Sequence, residues 1–331
     1  MPETTERAAL LAEIEAEYAE QRHLALGPKE GVGQTLQAVA LRAVLGTISR
    51  LPRGVQDAFI TGAAHLAKRV DSKHADAARI FIKQALPCAV TDGPLLEQRV
   101  LQAYRHIFRV TLDSEQFDRC VPAPRRAEHN TMVKCEGFDE LVASGRGVLM
   151  ITPHVGDWEA GSAFVPTFCD RRFYAVVKPP RNRKVSEHLL AVREGRGIGV
   201  LPRRGGMNMI GKLLATGSWI GLLLDHRPNG KHVVAPFFNR PALCERSAAT
   251  LIKRMKAPLV FGSTFLTERP WHYRTVMNAI IEPEELAGLD PVAIQTRVNA
   301  EMERLILMAP DQYFWLHDRY RYAPESEADS D

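Results

Sequence analysis

The sequence predicts an α/β fold: a mixed, largely parallel central sheet flanked by helices, with a helical N-terminal region. Three observations carry this. Beyond residue 126, short apolar runs alternate with amphipathic segments, the pattern of strands joined by helical crossovers. The run Gly147–Thr152 (GVLMIT) is apolar without a period of two, as in a strand covered on both faces. The first 126 residues instead carry apolar positions at helical spacing.

Residues 1–25 read as a polar helix, followed by a break at Gly27–Gly33. Residues 35–50 and 53–70 are helical, separated by Leu51-Pro52, where proline suits a first helical turn. A helix from His74 to Leu86 stops at Pro87, another covers Leu95 to Val110, and Val121 to Arg126 is a proline-containing loop. Val133–Glu136 is a short strand, and Phe138–Ser144 is a helix closed by Gly145. Strands follow at Gly147–Thr152, Phe173–Val177, Gly199–Leu201, Trp219–Leu224 and Pro258–Thr264. Helices at Lys184–Arg193, Met207–Thr216 and Ser247–Met255 fall between them. Residues 323–331 (APESEADSD) read as a disordered acidic tail. The predicted organisation is a helical region 1–126 packing on an α/β core 127–322, then the tail.

Composition narrows the function. With 45% hydrophobic and 25% charged residues, the chain can bury a full core, which excludes disorder for most of its length. Between Arg171 and Lys256 stand 18 Lys/Arg against 4 Asp/Glu, so the central region suits an anionic partner such as a phosphorylated lipid, a membrane surface, nucleic acid or an acidic carrier protein. Five scattered cysteines without a CxxC pair argue against a disulfide framework and a zinc site. The acidic N-terminal sequence is not a secretory signal. The best apolar stretch, Leu36–Ile48, is interrupted by Gln37 and Arg42 and falls short of the ~20 residues a bilayer span needs. Contact with a membrane is therefore expected at its surface. Leu36–Ile48 and Val55–Leu66 suit either a membrane-contacting helical pair or core helices, and periodicity does not separate the two.

The sharpest chemical feature is Ile151-Thr-Pro-His154-Val-Gly-Asp-Trp-Glu159, directly after the buried strand. Asp157 suits the N-cap of the next helix, which leaves Glu159 in its first turn. A histidine at the C-terminal end of a strand, with a carboxylate five residues on, can act as a general base. The carboxylate fixes its tautomer and stabilises the imidazolium. On spacing alone Asp157 serves as partner as well as Glu159 does. No Gly-x-Ser-x-Gly elbow points to a serine acyl-enzyme. Gly195-x-Gly197-x-Gly199 lacks the dinucleotide context, and no HExxH or Cys/His cluster suggests a metal, so no cofactor and no nucleic-acid partner are expected.

Val133-Lys-Cys-Glu-Gly-Phe-Asp-Glu-Leu141 and Gly145-Arg-Gly-Val-Leu-Met-Ile-Thr-Pro-His154-Val-Gly-Asp-Trp-Glu159 together resemble the core of the bacterial lipid A biosynthesis acyltransferases, the late lauroyl and myristoyl transferases and their relatives. Matches continue in order through Val177-Lys-Pro-Pro-Arg-Asn182, Gly221-Leu-Leu-Leu-Asp225-His226, Val234-Ala-Pro-Phe-Phe-Asn-Arg-Pro-Ala242 and Ala257-Pro-Leu-Val260. They close at Pro310-Asp-Gln-Tyr-Phe-Trp-Leu-His317-Asp-Arg319-Tyr320. The resemblance implies a fold like the glycerolphosphate acyltransferases. It implies transfer of a fatty acyl chain from acyl carrier protein or acyl-CoA to a hydroxyl of a membrane glycolipid, lipid A-like or otherwise anionic, or of a phospholipid, at the cytoplasmic face of the inner membrane. It makes His154 the base, Glu159 its orienting partner and Asp225 an acidic residue beside the site. Beside this, Lys178, Arg181 and Arg204 flank loops after the strands and suit substrate phosphates, Asn182 matches a family position for substrate binding, and Arg181, Arg204 or the helix start near Asp157 can face the oxyanion. Tyr313, Phe314 and Trp315 read as packing residues. Lys178 stands where relatives carry arginine, and His226-Arg227 where they carry glutamine after the acidic residue. The N-terminal anchor helix of many relatives has no counterpart, which predicts a peripheral protein. A thioester hydrolase using the same pair on water is the alternative.

Overall fold

The central strands are buried along almost their whole length, and their side chains sort onto two covered faces. The computed structural model describes residues 4–28, 31–87, 91–203 and 207–323. Arg204, Cys88 and residues 324–331 of the predicted tail lie outside them. The strands are β1 (Asn130–Val133), β2 (Val148–Thr152), β3 (Phe173–Val177), β4 (Ile198–Pro202), β5 (Trp219–Leu223), β6 (His232–Phe237), β7 (Arg240–Glu245), β8 (Leu259–Leu266) and β9 (Tyr273–Ile281). Seven form one sheet in the order β1-β9-β8-β2-β5-β3-β4, parallel except for the β8–β9 pairing, while β6 and β7 make a separate hairpin. In β2, Val148 and Met150 point into one hydrophobic cluster and Leu149 and Ile151 into the other. In β5, Trp219 and Ile220 divide the same way. A strand buried on both sides reads as an unbroken apolar run, as GVLMIT does.

The helices are α1 (Thr4–Gln21), α2 (Val32–Ile48), α3 (Arg53–Val70), α4 (Ser72–Ala85), α5 (Gly93–Cys120), α6 (Phe138–Ser144), α7 (Trp158–Phe168), α8 (Arg183–Gly195), α9 (Met207–Ala215), α10 (Arg246–Met255) and α11 (Pro291–Met308). The N-terminal helices share the sheet's core: Ile14, Phe81 and Val100 belong to the same buried cluster as Leu149 and Ile220. Helix α5 contributes to both clusters, through Val100 and Tyr104 on one side and Phe117 on the other.

Helix α3 carries apolar side chains on its inner and its outer face. It meets α5 through polar groups, with Arg53 Nη1 donating to Asp113 Oδ1 at 2.8 Å and Arg109 Nη1 donating to Gln56 Oε1 at 3.2 Å. Only Gln56, Ile60 and Ala64 of α3 are buried. Val55, Phe59, Leu66 and Val70 form a stripe of helical period facing out. On α2, Val32, Leu36, Val39 and Val44 are likewise exposed, Val32 by 79% and Leu36 by 64%. Both helices lie at the surface and bury one edge each: Ile48 and Ile60 pack with Leu112, and Ala64 joins the main core. Among the described residues no helix is long and apolar enough to cross a membrane.

Several element bounds differ from the expectation. Helix α5 runs to Cys120, past Val110, because no glycine or proline intervenes. Strand β1 occupies 130–133 instead of 133–136, where Asn130 Oδ1 accepts from the Thr275 backbone and hydroxyl on β9. The β6–β7 hairpin, β9 and α11 fill regions for which the sequence suggested no element.

Candidate active site

Parallel strands all end on one edge, and the loops leaving β2, β3, β4 and β5 gather there around a cavity of about 510 Å³. The loop 153–157 after β2 is fixed from three directions. Gly156 has φ +67°, and a Cβ there would lie 2.0 Å from the Thr264 carbonyl oxygen, so only glycine fits. Its N–H donates to the Gln312 carbonyl at 2.9 Å, and the next N–H, of Asp157, donates to Thr264 at 2.7 Å. From α5, buried His106 donates Nε2–H to the Gly156 carbonyl at 3.0 Å; burial lowers its pKa to about 4, so it acts as a neutral donor. Phe314 N–H closes the frame on the His154 carbonyl at 3.0 Å.

His154 emerges from this frame beside Asp225, which follows β5. The register pairs Thr152 with Leu223, so each residue lies two positions beyond the end of its strand on neighbouring strands. His154 Nδ1–H donates to Asp225 Oδ1 at 2.8 Å. Asp225 Oδ2 accepts the His154 backbone N–H and the Tyr313 hydroxyl, both at 3.0 Å. Burial would push the Asp225 carboxyl up, but the favourable field of the His154 and His226 imidazoles when protonated, and the hydrogen bonds from His154, hold it well below the usual range. A permanent carboxylate on Nδ1–H leaves Nε2 as the lone-pair nitrogen, the state a general base requires.

The expected His154–Glu159 pairing is corrected here. Glu159 accepts from Arg193 Nη2 at 2.6 Å and Nε at 3.1 Å, a bidentate pair that ties α7 to α8. The helix turn carries its carboxylate to the guanidinium, and the imidazole's hydrogen-bond partner comes from β5 instead. Asp157 does not pair with the ring either. It is the N-cap of α7, accepting from Ala160 N–H at 2.9 Å, and burial raises its carboxyl to about 7.

Around the imidazole lies an aromatic stack that the sequence did not reveal. The His154 and His226 rings stack with centroids 3.8 Å apart and 10° between planes, and His226 stacks on His317 at 4.2 Å and 12°. His317 Nε2 accepts the Arg227 backbone N–H at 2.9 Å. Burial lowers the pKa of His317 to about 4 and that of His226 well below the ordinary value, so both rings are neutral near pH 7. Tyr313 and Trp315 are buried and pack edge-on around Phe81, and Tyr313 also holds Asp225. The pairing of His226 with the site follows from its place beside Asp225 at the strand end, the one signal available in the sequence.

The cavity wraps the strand ends. Beneath α7 it is lined by Met150, Val165, Phe173, Ala175 and Gly221, and the opposite face adds Ile210, Leu222 and Leu251. Its polar lining includes His154, Glu159, His226 and His317, with the cations Lys178, Arg193, Arg203 and Arg227. Arg193 is paired with Glu159, and Arg203 with Glu245. Lys178 lines the cavity. Arg181 and Asn182 stand just beyond its lining: Asn182 Oδ1 caps α8 by accepting from Lys184 and Val185 N–H, and its Nδ2 donates to the Gln34 carbonyl on α2 at 2.8 Å. Arg204 is outside the described residues.

His154, Asp225 and His226 bring one potential ligand atom each within 4.8 Å of one another. Parallel stacked rings hold their in-plane lone pairs side by side, whereas a zinc ion needs them convergent at about 2.0–2.1 Å. Asp225 Oδ1 is moreover engaged by the imidazole proton. As it stands the cluster suits proton transfer better than chelation.

Residues 33–322 match the family model described as bacterial lipid A biosynthesis acyltransferase. No curated protein matches the chain.

Proposed function

We infer the reaction from one premise: the chain belongs to the bacterial lipid A biosynthesis acyltransferase family and is an acyltransferase. The donor we assign is an acyl thioester, on acyl carrier protein or coenzyme A. The acceptor is a hydroxyl of a lipid A-like anionic glycolipid. His154 Nε2 takes the hydroxyl proton, the oxygen attacks the thioester carbon, and the departing thiolate recovers that proton from the imidazolium. Asp225 keeps the proton on Nδ1 beforehand and stabilises the imidazolium afterwards. The observation carrying this reading is the 2.8 Å His154–Asp225 hydrogen bond at a cavity that combines apolar walls with cationic side chains. Glu159 has a positioning role, locking α7 to α8 through Arg193.

The acyl chain is assigned to the part of the cavity beneath α7 that Met150, Val165 and Phe173 line with apolar surface. Lys178 and Arg227, at the loops after β3 and β5, are assigned to phosphate groups of the acceptor or the donor carrier. Attachment is proposed at the cytoplasmic face of the inner membrane. Full burial of a side chain such as Val55, Phe59 or Leu66 is worth about 1.5–3 kcal/mol, and the stripe on α3 forgoes most of this in water. Helix α2 begins beside the loop 178–182 through the Asn182–Gln34 bond, so an apolar surface lies close to the cavity mouth. Peripheral docking through α2 and α3 brings that mouth to the lipid.

The test is purified protein with acyl thioester and a lipid A-like acceptor, products read by mass spectrometry. Acylated lipid is expected, with transfer abolished by His154→Ala in a folded protein. Undiminished turnover in that variant rejects the assignment, and free fatty acid without acylated lipid marks a hydrolase.

A further inference from the structure

His226 is unlike any other group at the site. It lines the cavity and stacks on His154, yet neither of its nitrogens has a hydrogen-bond partner among the described residues. Nε2 is buried and unpartnered, whereas Nδ1 has neither a partner nor that burial, so in a ring that lines the cavity it is the nitrogen left to meet a ligand. This asymmetry decides the tautomer. A buried N–H without an acceptor is the rarer and costlier orphan, so the proton belongs on Nδ1 and the lone pair on buried Nε2.

The ring cannot be a second base on equal terms with His154. Both Asp225 oxygens are taken, Oδ1 by the His154 ring and Oδ2 by the His154 backbone and Tyr313, so no carboxylate receives a proton from His226. Burial keeps the ring neutral against the pull of Asp225, and the neighbouring His154, His317 and Arg319 also oppose a positive charge there. What remains is a fixed neutral donor. Acyl transfer requires a base at the nucleophile and, about 3 Å from the reacting atoms, a donor at the carbonyl oxygen. Two rings stacked 3.8 Å apart set those functions side by side.

We propose that His226 is a catalytic residue whose Nδ1–H donates to the oxyanion formed at the thioester carbonyl. Resting on the acyl-transfer reading above, the step balances as follows. The acceptor hydroxyl loses its proton to His154 Nε2 while its oxygen bonds to the thioester carbon. The carbonyl π pair moves to oxygen, where Nδ1–H of His226 meets it without transferring its proton. Collapse restores the carbonyl and breaks the carbon–sulfur bond, and the thiolate takes the proton from His154.

The experiment compares His226→Gln, which keeps an N–H donor, with His226→Met, which has similar length and none, and with His226→Phe, which keeps a stacked ring without a donor. Steady-state transfer to lipid is measured for each, alongside thermal melting and His154→Ala. For His226→Met and His226→Phe, kcat is expected to fall by about 10²–10³ with little change in KM, and His226→Gln to recover most of it. Turnover within about threefold of wild type in a folded Met or Phe variant overturns the proposal, as does an equal loss in all three. If one variant does not fold, the remaining donor and non-donor variants carry the same comparison. A wild-type protein that makes no acylated lipid, or an undiminished His154→Ala, sinks the acyl-transfer reading itself. Loss in His154→Ala with no loss in His226→Met removes only the role given to His226.

Discussion

Two carboxylates flank the imidazole, and they are held in opposite ways. Asp225 hangs off the end of β5, fully buried, and points both oxygens at the site: one to the ring, the other to the His154 backbone and Tyr313. Glu159 starts α7, in sequence far closer to His154, and turns both oxygens away toward Arg193. Neighbourhood in sequence therefore chose the structural carboxylate, and neighbourhood across the sheet chose the one that touches the imidazole. The difference is one of register. Adjacent parallel strands ending in step deliver residues at equal distances past their ends to the same spot.

The most severe way to break this comparison is Asp225→Asn. An amide permits the wrong tautomer of His154, and kcat is expected to fall about 10³–10⁴-fold. A comparable loss for Glu159→Gln, in a protein of unchanged stability, would reverse the roles. Instead Glu159→Gln is expected to act on folding. It strands the Arg193 guanidinium, which is 17% exposed, and should cost about 3 kcal/mol in chemical denaturation with a smaller effect on kcat. Adding Arg193→Met to that variant should restore most of the lost stability, because the uncompensated charge is gone.

Smaller effects sharpen the contrast. Tyr313→Phe removes one hydrogen bond from Asp225 Oδ2 and should cost about 1 kcal/mol, leaving the imidazole contact in place. Asp157 tests the third carboxylate by pH. In the folded chain burial keeps its carboxyl protonated up to about pH 7, while unfolded aspartate ionises near 4. The folded state thus holds an extra proton across that window, and stability falls as pH rises through it. Asp157→Asn keeps the cap and removes the titration. Its stability relative to wild type, read from denaturation curves, should increase between about pH 5 and pH 8 by ~2 kcal/mol. A flat difference would mean that Asp157 is ionised throughout.

Much of the scaffold was legible in the sequence for a physical reason. The strands around the site are apolar runs punctuated by glycine and proline, and the turn carrying His154 is written in Pro153 and Gly156. The β6–β7 hairpin was not legible. Its turn uses positive φ at Phe238 and Asn239, and the Phe238-Asn239 pair lacks the usual Asn-Gly signature. Helices α2 and α3 were ambiguous, since an apolar stripe is the same sequence whether protein or solvent covers it. The partner of His154 was hidden more deeply. Asp225 qualifies only once β5 lies against β2, and sheet order is a property of the whole chain. Asn182 carried a family position but spends its side chain on α8 and Gln34, a use that spacing cannot reveal.

The frame around the His154 imidazole also has a consequence for biosynthesis. Gln312 accepts from Gly156 and clasps both backbone groups of Leu266, Phe314 holds His154, and Tyr313 holds Asp225. These residues leave the ribosome long after His154 does. A nascent chain can therefore finish β2 and β5 while its imidazole still lacks a clamp, and competence arrives only with residues 312–317. Chains cut short before that segment should accumulate as inert protein even where the sheet has formed.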